Sequence, residues 1–518
     1  MKKIKNLINK ENLLILLMAS LIAQPIFDLD YLAYPFLDQF GIPLPSTVFY
    51  FIGLPLLVIL AFIINEPNKK KVFIITLSIS VLVVAYVIIH HLFVKDMFDL
   101  LYLTNRYKYS LTDEVRYIVT LIIPLGLTYA FFRSEFNQKM IERIIVWSIA
   151  LIAIPLFISN LILLGKATYY DGPTLASFPY WFFGIYENVH PKQLTSQFFF
   201  SEGNTTGIVL FALFPQLIRL YIRDRKWTLL GLIFIQGWAM YVLATRVATY
   251  GVLMMLVITL AIWFVLVLFK KEKLHWKPLL ALGLVTLMFY VSLPFTPAVR
   301  NIEIDNRNDQ AVFDDEYIRE MAKNELDAEN LIPGTAQFNY FYENIFRQYY
   351  WLLTLPDVYY KWYYPYKMDP KFYVDLIFEV NFHDRKSGRQ FQQIFFDYKW
   401  EKLNETQKLF GFGYSRFMNG SILLEQDFFM QKYTLGYFGM ILLTFPWLGM
   451  LAFMIFKAIK NCKRILDFDL MIFVLSFGAL LGGAYLSGHV LDQFFSSTYL
   501  AFFAGVILYR LANLSKKT

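Results

Sequence analysis

The chain has 518 residues, of which 57% are hydrophobic, 19% aromatic and only 17% charged. A soluble domain carries about 25% charged residues, so this composition excludes a soluble fold and indicates a protein embedded in a membrane. The net charge of +8 is carried mainly by basic loops between apolar segments. We therefore interpret it as membrane-surface electrostatics and expect the lipid bilayer, and no nucleic acid, as a partner.

Apolar segments recur along the chain at lengths that suit membrane-spanning helices, since a hydrocarbon core of about 30 Å needs about 20 apolar residues per crossing. The segment near 206–222 is the weakest, because Pro215 and Arg219 interrupt it. The sequence predicts an all-α polytopic membrane protein with about twelve transmembrane helices. The candidate spans lie near residues 12–34, 45–64, 72–94, 114–132, 144–165, 206–222, 227–244, 247–269, 277–295, 432–456, 470–487 and 490–511.

A long polar, aromatic-rich segment separates the ninth predicted span from the tenth. We expect residues 1–295 to form transmembrane helices 1–9, residues 296–431 to form a large, mainly helical extracytoplasmic loop domain, and residues 432–518 to form helices 10–12. Its many aromatic residues have two explanations that the sequence does not separate. They form an interfacial belt, or they stack on the apolar faces of sugar rings.

Basic clusters follow alternate predicted spans, and the positive-inside rule places such clusters in the cytoplasm. Both termini and the single cysteine, Cys462, are then cytoplasmic, and the large loop is outside. The loop domain is expected to fold without disulfides. No cleavage site of signal-peptide type precedes the first span, which we expect to remain as a helix. The clusters are residues 2–10, 69–71, 133–143, 223–226, 270–277, 457–464 and 510–517.

Two arginines on the predicted outer side are candidate phosphate ligands. Arg246 lies in the sequence A-T-R-V, in the short turn between the seventh and eighth spans, and Arg389 lies in S-G-R of the large loop. The planar guanidinium of arginine presents paired donors that match phosphate oxygens. Snorkelling at the interface explains Arg246 equally well, and a solvated surface position is the ordinary explanation for Arg389.

Three further residues are candidates for acid–base chemistry. Glu425 and Asp427 lie just before the tenth span, and His489 lies in the outer turn between the last two spans. A carboxylate that is desolvated at a membrane edge can serve as a general base, and histidine titrates near neutrality. The alternative interpretations are a solvated acidic loop end and a packed or capping histidine.

Metal-ligand patterns are sparse. Asp28 and Asp30, just outside the first span, form a D-x-D pair that is able to hold a divalent cation against a diphosphate, although chance supplies this triplet often. Residues 90–91 (His-His) and 383–384 (His-Asp) have no companion ligands at metal spacing.

Four segments, in order, resemble motifs of the O-antigen ligase and polymerase family of bacterial membrane glycosyltransferases. Residues 245–248 are similar to the family's S-R-G-A, and residues 387–389 to its S-G-R element. Residues 409–414 resemble the G-x-G that follows that arginine by about twenty residues. The fourth segment matches the spacing of the family's H-N and G-x-x-G pattern, with Gly436 and Gly439 as its glycines. Glu425 stands where the family has a histidine, the proposed base.

The resemblance implies inverting transfer of a glycan from an undecaprenyl-diphosphate carrier to an acceptor hydroxyl, without metal or cofactor, at the outer face of the bacterial cytoplasmic (inner) membrane. Arg246 and Arg389 would bind the donor diphosphate, where negative charge grows as it leaves. Glu425 would deprotonate the acceptor, and His489 or Asp427 would support it.

The expected product is surface polysaccharide, such as O-antigen, capsule or exopolysaccharide, polymerised from lipid-linked oligosaccharide repeat units. A Lys/Asn/Ile-rich chain suggests a bacterium without a lipid A core, which favours a polymerase over a ligase that delivers finished glycan to another acceptor. A chain-length regulator and a flippase are candidate partners. Two rivals remain: a transporter or flippase of lipid-linked oligosaccharide, and a metal-dependent glycosyltransferase that uses Asp28 and Asp30.

Overall fold

The structure is a computed structural model, and it describes residues 9–97, 101, 103, 106–183, 189–310, 320, 323, 331–353, 355–381, 388–460 and 467–514. Within these residues it is all-helical, and only an isolated bridge joins Lys166 to Pro173. The predicted all-α class is confirmed. The helices are α1 Lys10–Ile22, α2 Gln24–Phe27, α3 Tyr34–Leu37, α4 Pro45–Val48, α5 Leu54–Asn65, α6 Lys69–Val94, α7 Leu111–Arg133, α8 Gln138–Leu161, α9 Gly203–Asp224, α10 Trp227–Leu243, α11 Arg246–Leu268, α12 Trp276–Ser292, α13 Pro297–Gln310, α14 Ala336–Tyr349, α15 Pro370–Phe378, α16 Gly388–Glu401, α17 Glu405–Phe410, α18 Tyr414–Gly420, α19 Asp427–Gly439, α20 Phe445–Lys460, α21 Phe468–Leu486 and α22 Phe494–Leu514.

Ten helical segments of the described chain are long and apolar enough to cross a membrane. The bent pair Lys10–Ile22 and Gln24–Phe40, with 48° between its halves, is an eleventh candidate, and α10 is a shorter apolar helix. Every predicted span overlaps one of these helices, while twelve as the number of crossings stays a prediction. The ten segments are Pro45–Asn65, Lys69–Val94, Leu111–Arg133, Gln138–Leu161, Gly203–Asp224, Arg246–Leu268, Trp276–Ile304, Asp427–Lys460, Phe468–Leu486 and Phe494–Asn513.

Helix α9, the weakest predicted span, is the most enclosed one. Every residue from Thr205 to Ile222 is buried, and the helix packs against α8, α10, α11, α21 and α22. Gln216 Nε2 donates to Ser476 Oγ at 2.9 Å, and Arg219 pairs with Asp469 at 2.6 Å. Its modest hydropathy follows from this position, because polar groups inside a membrane bundle face other helices and not lipid.

The chain divides into two compact units. The first comprises Met1–Leu77, Thr120–Glu303 and Pro446–Thr518, and the second comprises Ser78–Val119 and Ile304–Phe445. The second unit thus combines the segment after the ninth span with most of α6 and the beginning of α7. A loop domain bounded at residues 296 and 431 remains a prediction.

An aromatic core holds the second unit together. The Tyr364 and Phe372 rings each lie edge-on to Phe395, with centroid separations of 5.1 and 5.9 Å. Such pairs add about 0.5–1.5 kcal/mol each beyond the area they bury. Many aromatic residues of the predicted outer loop are therefore core residues and neither belt nor sugar platform, whereas Trp351 and Trp362 are exposed. The buried aromatic residues are Phe346, Tyr360, Tyr364, Phe372, Tyr373, Phe378, Phe391, Phe395, Phe396, Trp400, Phe412, Phe417 and Tyr433, together with Tyr107.

The predicted orientation is open to a direct test. Cys462 lies outside the described residues, and its replacement by serine leaves the chain without cysteine. In that background a membrane-impermeant maleimide is expected to label Lys367→Cys in intact wall-free cells. It should label Lys273→Cys only after permeabilisation, because the basic loop at 270–277 faces the cytoplasm under the positive-inside rule. Both replaced lysines are exposed, and the opposite labelling pattern would reverse the topology.

Candidate functional site

Arg389 and Glu425 form an ion pair in the second unit. Arg389 is the second residue of α16, and Glu425 lies in the segment that joins α18 to α19. Arg389 Nε donates to Glu425 Oε2 at 2.5 Å, and Nη2 contacts the same oxygen. Within the described chain nothing hydrogen-bonds to Oε1. The side chains are 40% and 31% exposed, so a ligand that arrives from solution can reach both groups.

Tyr359 lies beside this pair. Burial raises the pKa of its phenol, and the charge of Glu425 raises it further, while a hydrogen bond from Gln392 acts in the opposite direction. A methyl group added to Gly388 would lie 3.4 Å from the Tyr359 hydroxyl, so the tyrosine borders the start of α16. The pair is thus flanked by a neutral hydroxyl that is able to donate a hydrogen bond.

Asp427, two residues after Glu425, occupies a different environment. It begins α19 and is only 2% exposed. A carboxylate in the first turn of a helix is stabilised by the unpaired backbone N–H groups there. Asp427 is therefore suited to stabilising the start of α19, whereas Glu425 is accessible to ligands.

The two glycine motifs contact each other through their backbones. Gly411 and Gly436 have φ angles of 72° and 69°, a region that side chains disfavour. A Cβ on Gly411 would lie 2.5 Å from Gly436 N, and one on Gly436 would lie 2.4 Å from Gly411 N. Gly413 N donates to Thr434 O at 2.9 Å. The glycines thus allow residues 411–413 to pack directly onto α19.

Gly436 also interrupts α19, since its φ and ψ of 69° and −178° are not helical. Tyr86 Oη donates to the neighbouring Leu435 carbonyl oxygen at 2.7 Å. A Cβ on Gly439 would lie 2.3 Å from that hydroxyl. Gly436 therefore interrupts the helix that follows Glu425, and Gly439 allows the Tyr86 hydroxyl to approach that helix closely.

The remaining candidates belong to the first unit. Arg246 begins α11, which is capped by Thr245 through a bond from Ala248 N to the threonine hydroxyl at 3.2 Å. Arg246 is exposed, and no acidic residue in the described chain pairs with it. His489 has a φ of 58°, and its Nδ1 lies 3.2 Å from Asp492 Oδ2. Asp492 thus orients the His489 ring.

The carboxylates of Asp28 and Asp30 each accept two hydrogen bonds from a serine. Asp28 accepts hydrogen bonds from Ser201 N at 2.8 Å and Ser201 Oγ at 2.5 Å. Asp30 accepts from Ser46 N at 2.6 Å and Ser46 Oγ at 3.0 Å. Asp28 is therefore hydrogen-bonded to the segment just before α9, and Asp30 to the first turn of α4. No cluster of three potential metal ligands occurs among the described residues.

Comparison with known families gives the context for this geometry. A family model of O-antigen ligase-like membrane proteins matches residues 9–514. The chain belongs to this family. The membership confirms the resemblance drawn from the four motifs, and it implies a multi-pass membrane protein with a glycosyltransferase-type activity on a lipid-linked glycan. No curated protein and no solved structure matches the chain.

This O-antigen ligase-like protein also contains a buried polar cluster that was not predicted from the sequence. His90 Nε2 lies 3.0 Å from Glu114 Oε1, and His90 Nδ1 lies 2.7 Å from the Phe410 carbonyl oxygen. Tyr414 N and Ser415 N donate to Glu114 at 3.0 and 2.9 Å. Glu114 thus contacts the His90 ring and accepts from two backbone N–H groups, and both ring nitrogens of His90 face oxygen atoms.

This cluster also holds the G-x-G segment, because its bonds are made to the Phe410 carbonyl oxygen and to the backbone N–H groups of Tyr414 and Ser415. Polar residues inside apolar spans are rare unless they are paired, and that rarity was the available signal for His90 and Glu114. Nothing in the sequence indicated that they pair, because the contact forms only when α6 and α7 meet the segment 410–415 of the family's third motif.

The second unit of this family member also contains two buried basic side chains, Lys399 and Arg416. Lys399 Nζ donates to Leu101 O and to Tyr364 Oη, both at 2.7 Å, and burial lowers the pKa of Lys399 well below its usual range. Arg416 Nη2 donates to Val94 O at 2.9 Å. Both side chains satisfy backbone carbonyls, so their contribution is structural.

Proposed function

We propose that the protein polymerises undecaprenyl-diphosphate-linked oligosaccharide repeat units into surface polysaccharide, at the outer face of the bacterial cytoplasmic membrane. The observation that carries the proposal is the contact between Arg389 and Glu425. It joins a phosphate-binding type of side chain to an accessible carboxylate, and each lies in a segment that resembles a family motif. The transfer is inverting and needs no metal.

In the proposed reaction the acceptor hydroxyl oxygen attacks the anomeric carbon on the face opposite the diphosphate. A carbon–oxygen bond forms there while the bond to the diphosphate oxygen breaks, and its electron pair leaves with undecaprenyl diphosphate. Glu425 takes the acceptor proton. The single displacement inverts the anomeric centre.

Arg246 and Arg389 are proposed to bind the donor diphosphate. Groups that stabilise charge as it develops in the transition state contribute most to rate, and a leaving diphosphate gains negative charge. Arg246 suits the role because it is exposed and lacks an acidic partner in the described chain. His489, oriented by Asp492, and Asp427, in the first turn of α19, are proposed as supporting groups.

A polymerase is preferred to a ligase because the Lys/Asn/Ile-rich composition suggests a host without a lipid A core. A chain-length regulator and a flippase are then the proposed partners. Purified protein in liposomes, given lipid-linked repeat units as the sole glycan, is expected to produce a ladder spaced by one repeat. A ligase would form no product until a different acceptor was added.

The arginine assignment leads to a specific expectation. Arg246→Ala and Arg389→Ala should each weaken donor binding by about 10- to 150-fold, since a charge-assisted hydrogen bond contributes roughly 1.5–3 kcal/mol. Arg347→Ala is the matched control, because Arg347 is an exposed arginine of the same unit that pairs with Glu343 at 2.5 Å. Donor affinity and initial rate are measured separately on monodisperse protein. Unchanged affinity and turnover in both alanine variants would reject the transferase mechanism and revive the transporter.

A further inference from the structure

Two groups are expected to bind the guanidinium of Arg389, namely Glu425 and the donor diphosphate. In the structure Glu425 occupies Nε and Nη2, one of the two edges of the guanidinium that can pair with phosphate oxygens. A diphosphate that binds this edge competes with the general base for the same donors. We propose that the donor releases Glu425 from Arg389, so that the base becomes active only after the donor is bound and the transfer is ordered, donor before acceptor. This inference rests on the proposed function.

The geometry and exposure of the Arg389–Glu425 pair favour its displacement by another anion. Both contacts converge on a single carboxylate oxygen, and each side chain is about one-third exposed or more. Exposed ion pairs of this kind are weak, because water screens the charges and the side chains lose entropy. A diphosphate carries more charge than one carboxylate and offers several oxygens, so it forms more charge-assisted bonds with the same guanidinium.

Release changes what Glu425 can do. In the pair, Oε2 of Glu425 is engaged by two N–H donors of Arg389. Once the diphosphate has taken Arg389, both carboxylate oxygens are available, and the side chain is free to turn toward an acceptor hydroxyl and take its proton.

The chain contains a matched comparison. Glu343 pairs with Arg347 in the same unit at 2.5 Å, and the arginine is similarly exposed. This second pair lies on α14, in a segment that resembles none of the family motifs. A variant that removes this pair shows the effect on the protein of losing an ordinary surface ion pair.

The test measures binding of inorganic diphosphate by isothermal titration calorimetry on purified protein. Glu425→Gln is expected to bind diphosphate about 2- to 5-fold more tightly than the wild type, because the competing carboxylate is removed while size is kept. Glu343→Gln should bind like the wild type. The gain should vanish in the double variant Arg389→Ala/Glu425→Gln. Equal or weaker binding by Glu425→Gln overturns the inference.

A second measurement uses the wild-type protein, so it does not depend on the folding of a variant. A water-soluble carbodiimide with an amine label modifies carboxyl groups, and mass spectrometry quantifies each modified peptide. Added diphosphate is expected to increase modification of Glu425 relative to Glu343. An unchanged ratio contradicts release of the carboxylate.

The outcomes separate the two proposals. An inactive Glu425→Gln variant that binds diphosphate no more tightly leaves the base assignment standing and rejects the competition. A Glu425→Gln variant with normal turnover rejects the base itself. Absence of diphosphate binding to the wild type rejects the proposed arginine site, and the ordered mechanism with it.

Discussion

Glu425→Gln is expected to reduce turnover by about 10²- to 10⁴-fold, the usual range for loss of a general base. Glutamine keeps the size and polarity of the side chain but takes up no proton. Donor binding should survive, so the defect appears in the rate and not in the donor affinity. The measurement is initial rate at saturating lipid-linked donor and acceptor, with variants compared at equal monodisperse concentration.

Glu343→Gln is the control for this substitution too, because it removes the carboxylate of another partly exposed ion pair in the second unit. Turnover near the wild-type value in Glu425→Gln would withdraw the base role from Glu425. His489 would then be the next residue to replace, since Asp492 already orients its ring. A histidine at position 425 provides a further test: Glu425→His restores the residue of the family motif and should retain part of the activity.

Gly436→Ala is expected to destabilise the protein by about 3 kcal/mol or more. A non-glycine residue with positive φ is strained by about 1–3 kcal/mol, and the added Cβ would lie 2.4 Å from Gly411 N. That atom belongs to the backbone, so it cannot move aside as a flexible side chain would. The apparent melting temperature in detergent, followed by intrinsic fluorescence, should fall together with the yield of monodisperse protein.

Gly449→Ala is the matched control, because Gly449 lies in α20 with no atom within 4 Å of an added Cβ. Alanine in a helix interior is favoured over glycine by roughly 0.5–1 kcal/mol, so this variant should melt at the same temperature or higher. A stable Gly436→Ala variant would show that the contact with Gly411 is dispensable.

The sequence predicted the spans well because lipid burial is read directly from hydropathy. Hydropathy made α9 the weakest predicted span, although Gln216 and Arg219 pair with residues of another helix inside the bundle. Hydropathy measures transfer into lipid, and it does not register partners that arrive from distant parts of the chain.

The individual residues of the candidate site could be predicted from the sequence, but the contacts between them could not. The motifs identified Arg389 and Glu425 separately, and nothing in the sequence indicated that the two charges neutralise each other. The G-x-G and G-x-x-G motifs likewise gave no sign that Gly411 and Gly436 pack backbone to backbone. Contacts of this kind depend on how segments fold back on one another, which short motifs do not encode.

The enclosure of α9 has a consequence for biogenesis. Arg219 finds its counter-charge in Asp469, a residue that the ribosome adds only after the whole second unit has been made. When α9 first leaves the insertion machinery, its arginine must remain at the headgroup level, where a long side chain reaches water. The nascent bundle is therefore incomplete until α21 inserts, and truncation before α21 should leave α9 exposed to membrane proteases.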